Sequence, residues 1–222
     1  MNIIGDVAGE FDTLMLLVDK MPEEEIILLG DLNDRGNDTP KVIQWCIDNN
    51  IRTIQSNHGH MMIDWYRNGK YYEDGIWAYN GGEATFRSYN YSVPETHIQY
   101  LEQCPMYIIH ENYILSHAPL RKGYTLEELC DLGVSVNEMK CDISLLWNRY
   151  VDKYKDGVIN IFGHNSSDKV KIFNSTYPDG IKMPEGEVSL SDAFAVCLDS
   201  SSGKKLSGIN LNNSTIYEQE YI

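Results

Sequence analysis

Short apolar runs alternate with stretches of helical periodicity in the first part of the chain. Three of the apolar runs have the length of a β-strand: residues 1–5, 25–30 and 52–55. Two stretches between them repeat apolar side chains at helical spacing: residues 11–21 and 40–49. Because strands that alternate with helices usually lie parallel and are joined by right-handed crossovers, this order predicts a parallel sheet.

The middle of the chain is more helical, and the last third is richer in strands. The pattern predicts helices at residues 61–67, 83–89 and 94–103. It predicts a hairpin from residues 106–110 and 113–116, and further strands at residues 158–162, 170–173, 194–198 and 206–211. Such a mixture of helix-rich and strand-rich stretches favours a layered α/β fold with more than one sheet.

Polar side chains of the kinds that bind metals follow several of the apolar runs directly. They are Asp6, Asp31, Asn57, His58, His117 and His164. Loops at the carboxyl ends of parallel strands form a ligand crevice, so we expect these side chains to converge. Taken singly, each has an ordinary structural explanation: a polar turn, a helix cap or a buried histidine. Together they are oxygen and nitrogen donors that suit Mn, Fe or Zn better than Ca or a thiolate-bound metal.

Length and composition narrow the class of protein. The 222 residues predict a single domain covering residues 1–222, and 42 % apolar residues argue against global disorder. A net charge of −15 opposes general binding to nucleic acid or to an anionic membrane. No apolar run has the length of a membrane helix, and the N-terminus has no secretory pattern. The five cysteines form no C-x-x-C motif, which favours the cytoplasm.

Five short blocks occur in the order found in calcineurin-like metallophosphoesterases, which the sequence therefore resembles. The blocks are residues 5–9 (GDVAG), 30–36 (GDLNDRG), 56–59 (SNHG), 116–118 (SHA) and 163–164 (GH). A narrower resemblance is to the bacteriophage lambda-type Ser/Thr protein phosphatases, through residues 60–64, 79–82, 146–149 and 197–200. The resemblance implies two packed mixed β-sheets flanked by helices, and hydrolysis of a phosphomonoester, most simply phosphoserine or phosphothreonine in protein.

The same resemblance implies two divalent cations, with Mn²⁺ favoured and Fe or Zn as alternatives. The implied ligands of the first cation are Asp6 and Asp31, and those of the second are Asp31, Asn57, His117 and His164. Two such cations can activate a water molecule and clamp a phosphoryl group. His58 would protonate the leaving oxygen with Asp34 orienting it, and Arg35 and Arg149 would bind the phosphate oxygens. Outside the resemblance, Arg149 is also explained as a surface arginine.

Four positions depart from the family pattern. Ala8 stands where the family has a histidine that binds the first cation, and Gln55 stands where lambda-type enzymes have a phosphate-binding arginine. Ser56 and Gly59 stand where the family has a glycine and a glutamate. Ala8 is interpreted either as an engineered inactivation, which we favour, or as a natural change in a diverged site. Two alternatives to a protein phosphatase therefore stay open: a phosphatase of nucleotides, dinucleoside polyphosphates or nucleic-acid ends, and an inactive protein that binds a phosphorylated ligand.

Overall fold

The computed structural model describes residues 1–69, 77–131 and 143–222, and twelve strands within these ranges form two six-stranded sheets. The first six strands are β1 (Asn2–Ile4), β2 (Ile26–Leu28), β3 (Arg52–Thr53), β4 (Tyr107–His110), β5 (Tyr113–Ser116) and β6 (Ile159–Phe162). The others are β7 (Val170–Asn174), β8 (Ile181–Met183), β9 (Gly186–Glu187), β10 (Ala193–Cys197), β11 (Lys205–Asn210) and β12 (Thr215–Glu220). The first sheet has the order β3-β2-β1-β11-β12-β9, and the second has the order β4-β5-β6-β10-β7-β8.

Helices flank these sheets. The α-helices in the described residues are α1 (Phe11–Lys20), α2 (Thr39–Asp48), α3 (Asn57–Asn68), α4 (Glu83–Ser88), α5 (Glu95–Glu102) and α6 (Leu126–Asp131). A π-helical turn at Ala78–Gly82 leads into α4, and a 3₁₀ turn at Ser201–Gly203 precedes β11. None of the helices in the described ranges is long and apolar enough to cross a membrane.

Both sheets mix parallel and antiparallel strands, which confirms the predicted fold class. In the first sheet β1, β2 and β3 are parallel neighbours, and β11 runs antiparallel to β1. In the second sheet β5, β6 and β10 are parallel, and the hairpin partner β4 runs antiparallel to β5. Each sheet therefore contains three adjacent parallel strands whose carboxyl ends lie at the same edge of that sheet.

Alternating side chains of the strands divide the core into layers. Ile3 and Leu198 belong to a buried cluster made from strands of both sheets, whereas Ile4 belongs to the cluster beneath the helices. Leu14 of α1 and Val42 of α2 are fully buried in that second cluster. Successive strand residues point to opposite faces, so the apolar run of β1 fills both layers.

Some boundaries and elements differ from the prediction. The predicted helix at residues 61–67 begins earlier, at Asn57, because Ser56 caps it by accepting a hydrogen bond from the Gly59 amide at 3.1 Å. Ser56, and not Asn57, is therefore the N-cap. Strand β12 was not predicted, since its side chains are largely polar, yet it pairs with β11 along its whole length. The strands β8 and β9 and the helix α6 were likewise not predicted.

The described cysteines form no disulfide. Cys46, Cys104, Cys130 and Cys197 are free thiols, and Cys141 lies outside the described residues.

Candidate metal centre

Each of the six parallel strands is followed closely by a buried polar side chain. In the first sheet these are Asp6 after β1, Asp31 after β2 and Asn57 after β3. In the second sheet they are His117 after β5, His164 after β6 and Asp199 after β10. None of the six is more than 6 % exposed. The structure therefore gathers the five predicted metal ligands at one edge of the two sheets and adds Asp199.

The two sheets contact each other through these residues. The His164 amide donates to both carboxylate oxygens of Asp6, at 3.0 and 3.2 Å. Nδ1 of His117 donates to the backbone carbonyl of Leu29 at 2.9 Å. Ligand atoms of Asp6, Asp31 and His117 all lie within 4.8 Å of one another, which is close enough to share a metal ion.

Several potential metal-ligand atoms in this cluster lack the hydrogen-bond partners that a buried polar atom needs. Oδ1 of Asp31 and Nε2 of His164 are buried and have no hydrogen-bond partner among the described residues. Nε2 of His117 lies 2.7 Å from Oδ1 of Asn57 and 3.4 Å from Oδ1 of Asp31. A neutral imidazole has one proton, which His117 already gives to Leu29, so its Nε2 faces these oxygens as a second acceptor. Acceptors turned towards one another in this way fit a shared divalent cation.

The charges of the site support the same interpretation. Burial, followed by the nearby Asp199 and Asp31, raises the pKa of Asp6 well above its ordinary value. Burial also raises the pKa of Asp199. It lowers the pKa values of His117 and His164, which are therefore neutral imidazoles, the form that binds metals. Burial therefore opposes ionisation of these two carboxyl groups, and a bound cation would favour their charged forms.

His58 and Asp34 form a buried pair next to this cluster. Nδ1 of His58 donates to Oδ2 of Asp34, and Nε2 lies 3.9 Å from Oδ2 of Asp31. Burial alone would lower the pKa of His58, but Asp31 and Asp34 outweigh it and raise the pKa above its ordinary value. The imidazole is therefore held in position and favoured in its protonated form, as a proton donor requires.

Asp34 is fully buried and accepts hydrogen bonds from four side chains. Oδ1 accepts from Nδ2 of Asn33 at 2.9 Å and from Oγ1 of Thr85 at 2.7 Å. Oδ2 accepts from Nε1 of Trp77 at 2.8 Å in addition to His58. These donors fix the carboxylate, so it can hold His58 in one orientation.

The two predicted arginines lie beside different residues of the site. Arg35 is exposed, and its Nη2 lies 3.4 Å from Nε2 of His58. Arg149 is also exposed, and its Nη1 donates to the backbone carbonyl of His164 at 3.1 Å. Both guanidinium groups therefore lie beside the polar cluster, where they could bind an anion.

The loops at this edge carry unusual backbone angles. Positive φ angles occur at Ala8 (51°), Asp31 (44°), Asp34 (72°), Arg35 (63°) and His164 (60°). Residues with side chains rarely adopt this region, and such strain concentrates at functional sites. Histidine is enriched there relative to most residues.

The departures from the family pattern have different structural contexts. Ala8 is buried at the site, where its amide donates to the Asp31 carbonyl at 2.6 Å. Gln55 points away from the site, because its Nε2 donates to the Leu101 carbonyl of α5 at 3.2 Å. A side chain at Gly59 would meet Oε1 of Gln55 at 3.0 Å. Gln55 and Gly59 therefore form one packing arrangement at the start of α3.

Sequence reasoning missed three side chains that shape the site. Asp199 follows the apolar run of β10 directly, which is the same signal that identified the other strand-end residues. Trp77 and Thr85 hold Asp34 but carry no local signal, since they are distant in sequence from it.

Comparisons with known proteins identify relatives of this arrangement. The family model for calcineurin-like phosphoesterases matches residues 2–193. No curated protein matches the sequence significantly.

Solved structures share the fold at low sequence identity. A metallophosphoesterase from Sphaerobacter thermophilus has a TM-score of 0.67 and 14 % identity, covering 100 % of this chain and 90 % of its own. A protein proposed to be a diadenosine tetraphosphatase has a TM-score of 0.64 and 16 % identity, covering 98 % and 91 %. A cold-active protein-tyrosine phosphatase from a psychrophilic Shewanella species has a TM-score of 0.60 and 16 % identity, covering 99 % and 80 %. At such identities these likenesses concern the fold alone.

Proposed function

Because the chain belongs to the calcineurin-like phosphoesterase family, we propose that it hydrolyses phosphomonoesters with two bound divalent cations, and that its substrate is phosphoserine or phosphothreonine in protein. The observation that carries this proposal is the set of buried acceptors around His117. Oxygen atoms of Asn57 and Asp31 lie next to Nε2 of His117. Oδ1 of Asp31 and Nε2 of His164 are buried and have no hydrogen-bond partner within the described residues.

The residues divide into two ligand sets that share Asp31. Asp31, Asn57, His117 and His164 would hold the second cation, and Asp6 and Asp31 would hold the first. When bound, the cations would polarise the phosphoryl group and activate water for in-line attack. We favour Mn²⁺, since mixed carboxylate, amide and imidazole donors suit it, with Fe or Zn as alternatives.

The remaining residues act on the substrate. His58 donates a proton to the leaving oxygen, and Asp34 holds its imidazole in the required orientation. Arg35 and Arg149 bind the phosphoryl oxygens by charge-assisted hydrogen bonds, for which their exposed guanidinium groups lie beside His58 and His164. Residues 1–222 act as a single domain, and we place the chain in the cytoplasm on the pattern of its cysteines.

Ala8 weakens the first cation site in this proposal, because a methyl group cannot coordinate a metal. The backbone at residue 8 has a φ angle of 51°, which histidine adopts more readily than most residues. We therefore propose that Ala8→His restores activity. Loss of one side of a two-metal clamp should cost roughly three orders of magnitude in rate, at about 1.4 kcal/mol per tenfold.

The test compares the present chain with Ala8→His at saturating Mn²⁺. The screen should include p-nitrophenyl phosphate, a phosphothreonine peptide, mononucleotides, a dinucleoside polyphosphate and end-phosphorylated RNA. A gain of about a hundredfold or more on the peptide supports the proposal. A gain confined to the nucleotides would favour the alternative substrate class.

A second candidate function is favoured by Ala8 itself. A chain that lacks a metal ligand, yet keeps Arg35 and Arg149, could bind a phosphorylated partner without hydrolysing it. No gain on any phosphoester with Ala8→His, combined with retained binding of a phosphopeptide, would support this binding protein over the enzyme.

A further inference from the structure

Tyr221 lies at the far end of the chain and reaches the edge where the candidate ligands meet. Its backbone amide donates to the Lys204 carbonyl at 2.9 Å, which extends the pairing of β12 with β11. Its ring packs against the buried cluster beneath the helices. The ring is therefore anchored from both sides, by the backbone of the sheet and by the core.

The hydroxyl of Tyr221 is enclosed without a partner. It is shielded from solvent and has no hydrogen-bond partner among the described residues. A buried hydroxyl that makes no hydrogen bond destabilises a fold, whereas phenylalanine would fill the same space without that cost. The hydroxyl is thus unexplained by packing alone.

The surroundings of Tyr221 are those of the first cation position. Tyr221 and Ala8 line the same cavity of about 290 Å³, together with Glu10, Arg35 and three serines. The carboxylates of Asp199, Glu10 and Asp6 are close enough to raise the pKa of Tyr221 further after burial has raised it. The phenol is therefore a neutral hydrogen-bond donor beside the cavity that Ala8 lines.

We infer that Tyr221 is a positioning residue of the first cation position, and that its hydroxyl, which has no partner in the metal-free fold, donates to an oxygen ligand of the occupied site on the side that Ala8 leaves open. This inference rests on the metal-dependent function proposed above. The position lacks the imidazole that residue 8 supplies in the family, and the phenol enters the same space from the other end of the chain. Outer partners of metal ligands commonly change metal affinity by about 10–100-fold.

The experiment measures Mn²⁺ binding by calorimetry to the full chain, to Tyr221→Phe and to Tyr217→Phe. Tyr221→Phe keeps the ring and removes only the hydroxyl. Tyr217 lies on the same strand and packs on the same cluster, but its hydroxyl accepts from Nδ2 of Asn213. We expect Tyr221→Phe to weaken one of the two Mn²⁺ sites by about tenfold or more, and Tyr217→Phe to leave both unchanged.

Thermal unfolding without metal separates a positioning role from a structural one. Because Tyr221→Phe removes an unpaired hydroxyl, it should melt in EDTA at or above the temperature of the unchanged protein. Equal Mn²⁺ affinities for Tyr221→Phe and the unchanged protein would overturn the inference. It would also be overturned if Tyr221→Phe lost as much thermal stability in EDTA as it lost in Mn²⁺. Failure of the unchanged chain to bind Mn²⁺ would overturn both the inference and the proposed function, whereas unchanged affinities together with phosphatase activity in Ala8→His would overturn the inference alone.

Discussion

Replacement of Asp34 by asparagine tests how much the hydrogen bonds to this carboxylate, including the one from His58, stabilise the fold. Four side chains donate to this carboxylate, two to each oxygen. The amide group of asparagine can accept on one side only, and on the other it presents donors. Since Trp77 and His58 lie on the Oδ2 side and the Trp77 indole can only donate, the new amide nitrogen should face Asn33 and Thr85.

The magnitude follows from those four contacts. The bond from Asn33 is lost, and the Thr85 hydroxyl must turn round to accept. A hydrogen bond to a charged group contributes about 1.5–3 kcal/mol, and the remaining bonds fall towards the 0.5–1.5 kcal/mol of neutral pairs. Part of the lost free energy of unfolding is offset, because a neutral amide costs less to bury than a carboxylate. We expect a net destabilisation of about 3 kcal/mol, which lowers Tm by roughly 6–12 °C in a chain of this size.

The assay is thermal unfolding followed by circular dichroism in EDTA, with urea unfolding as a second measurement. Asp38→Asn is the matched control, because Asp38 precedes α2 in the same loop and forms an ion pair with the exposed Lys41 at 2.8 Å. That change should cost less than about 1 kcal/mol. The reasoning would be refuted if Asp34→Asn melted within about 2 °C of the unchanged protein, or no lower than Asp38→Asn.

Three further predictions concern the site. In the Ala8→His background, His58→Asn should slow hydrolysis of alkyl phosphates by about 10²–10⁴-fold and hydrolysis of p-nitrophenyl phosphate much less. If both rates fall equally and the metal content falls too, His58 is a metal ligand. In crystals soaked in modest Mn²⁺, the stronger anomalous peak should lie beside His117 and His164, and equal full occupancy at both positions would contradict this. In metal-free protein, burial raises the pKa of Asp199 above its ordinary value of 3.8, so the folded chain keeps a proton that the unfolded chain loses as pH rises. The free energy of unfolding therefore falls as the pH rises above about 4. The stability of Asp199→Asn relative to that of the unchanged protein should increase between pH 4 and 7 in EDTA. Parallel curves of stability against pH for the two proteins would refute the assignment.

The sequence was sufficient to predict the strand-end residues because their signal is local. Asp6 and Asp31 each follow an apolar run directly, and parallel strands end at a common edge. Asp199 follows such a run too, so the same local signal is present at that position.

Other parts of the site depend on contacts that no local pattern contains. Thr85 and Trp77 reach Asp34 only because the turn at Ala78–Gly82 lies against the loop of Arg35, whose amide donates to the Gly81 carbonyl at 3.3 Å. Tyr221 reaches the site only because β12 pairs with β11, and the largely polar sequence of β12 does not predict a strand. These placements follow from tertiary packing, which overrides local propensity.

The direct contact between Asp6 and His164 joins residues that are 158 positions apart. Closing a loop of that length has an entropic cost, which other contacts between the two sheets must offset before these residues can meet. In the function proposed above, the ligand set is complete only in a chain whose two sheets have come together. Cation binding would therefore stabilise the folded chain and not the unfolded one.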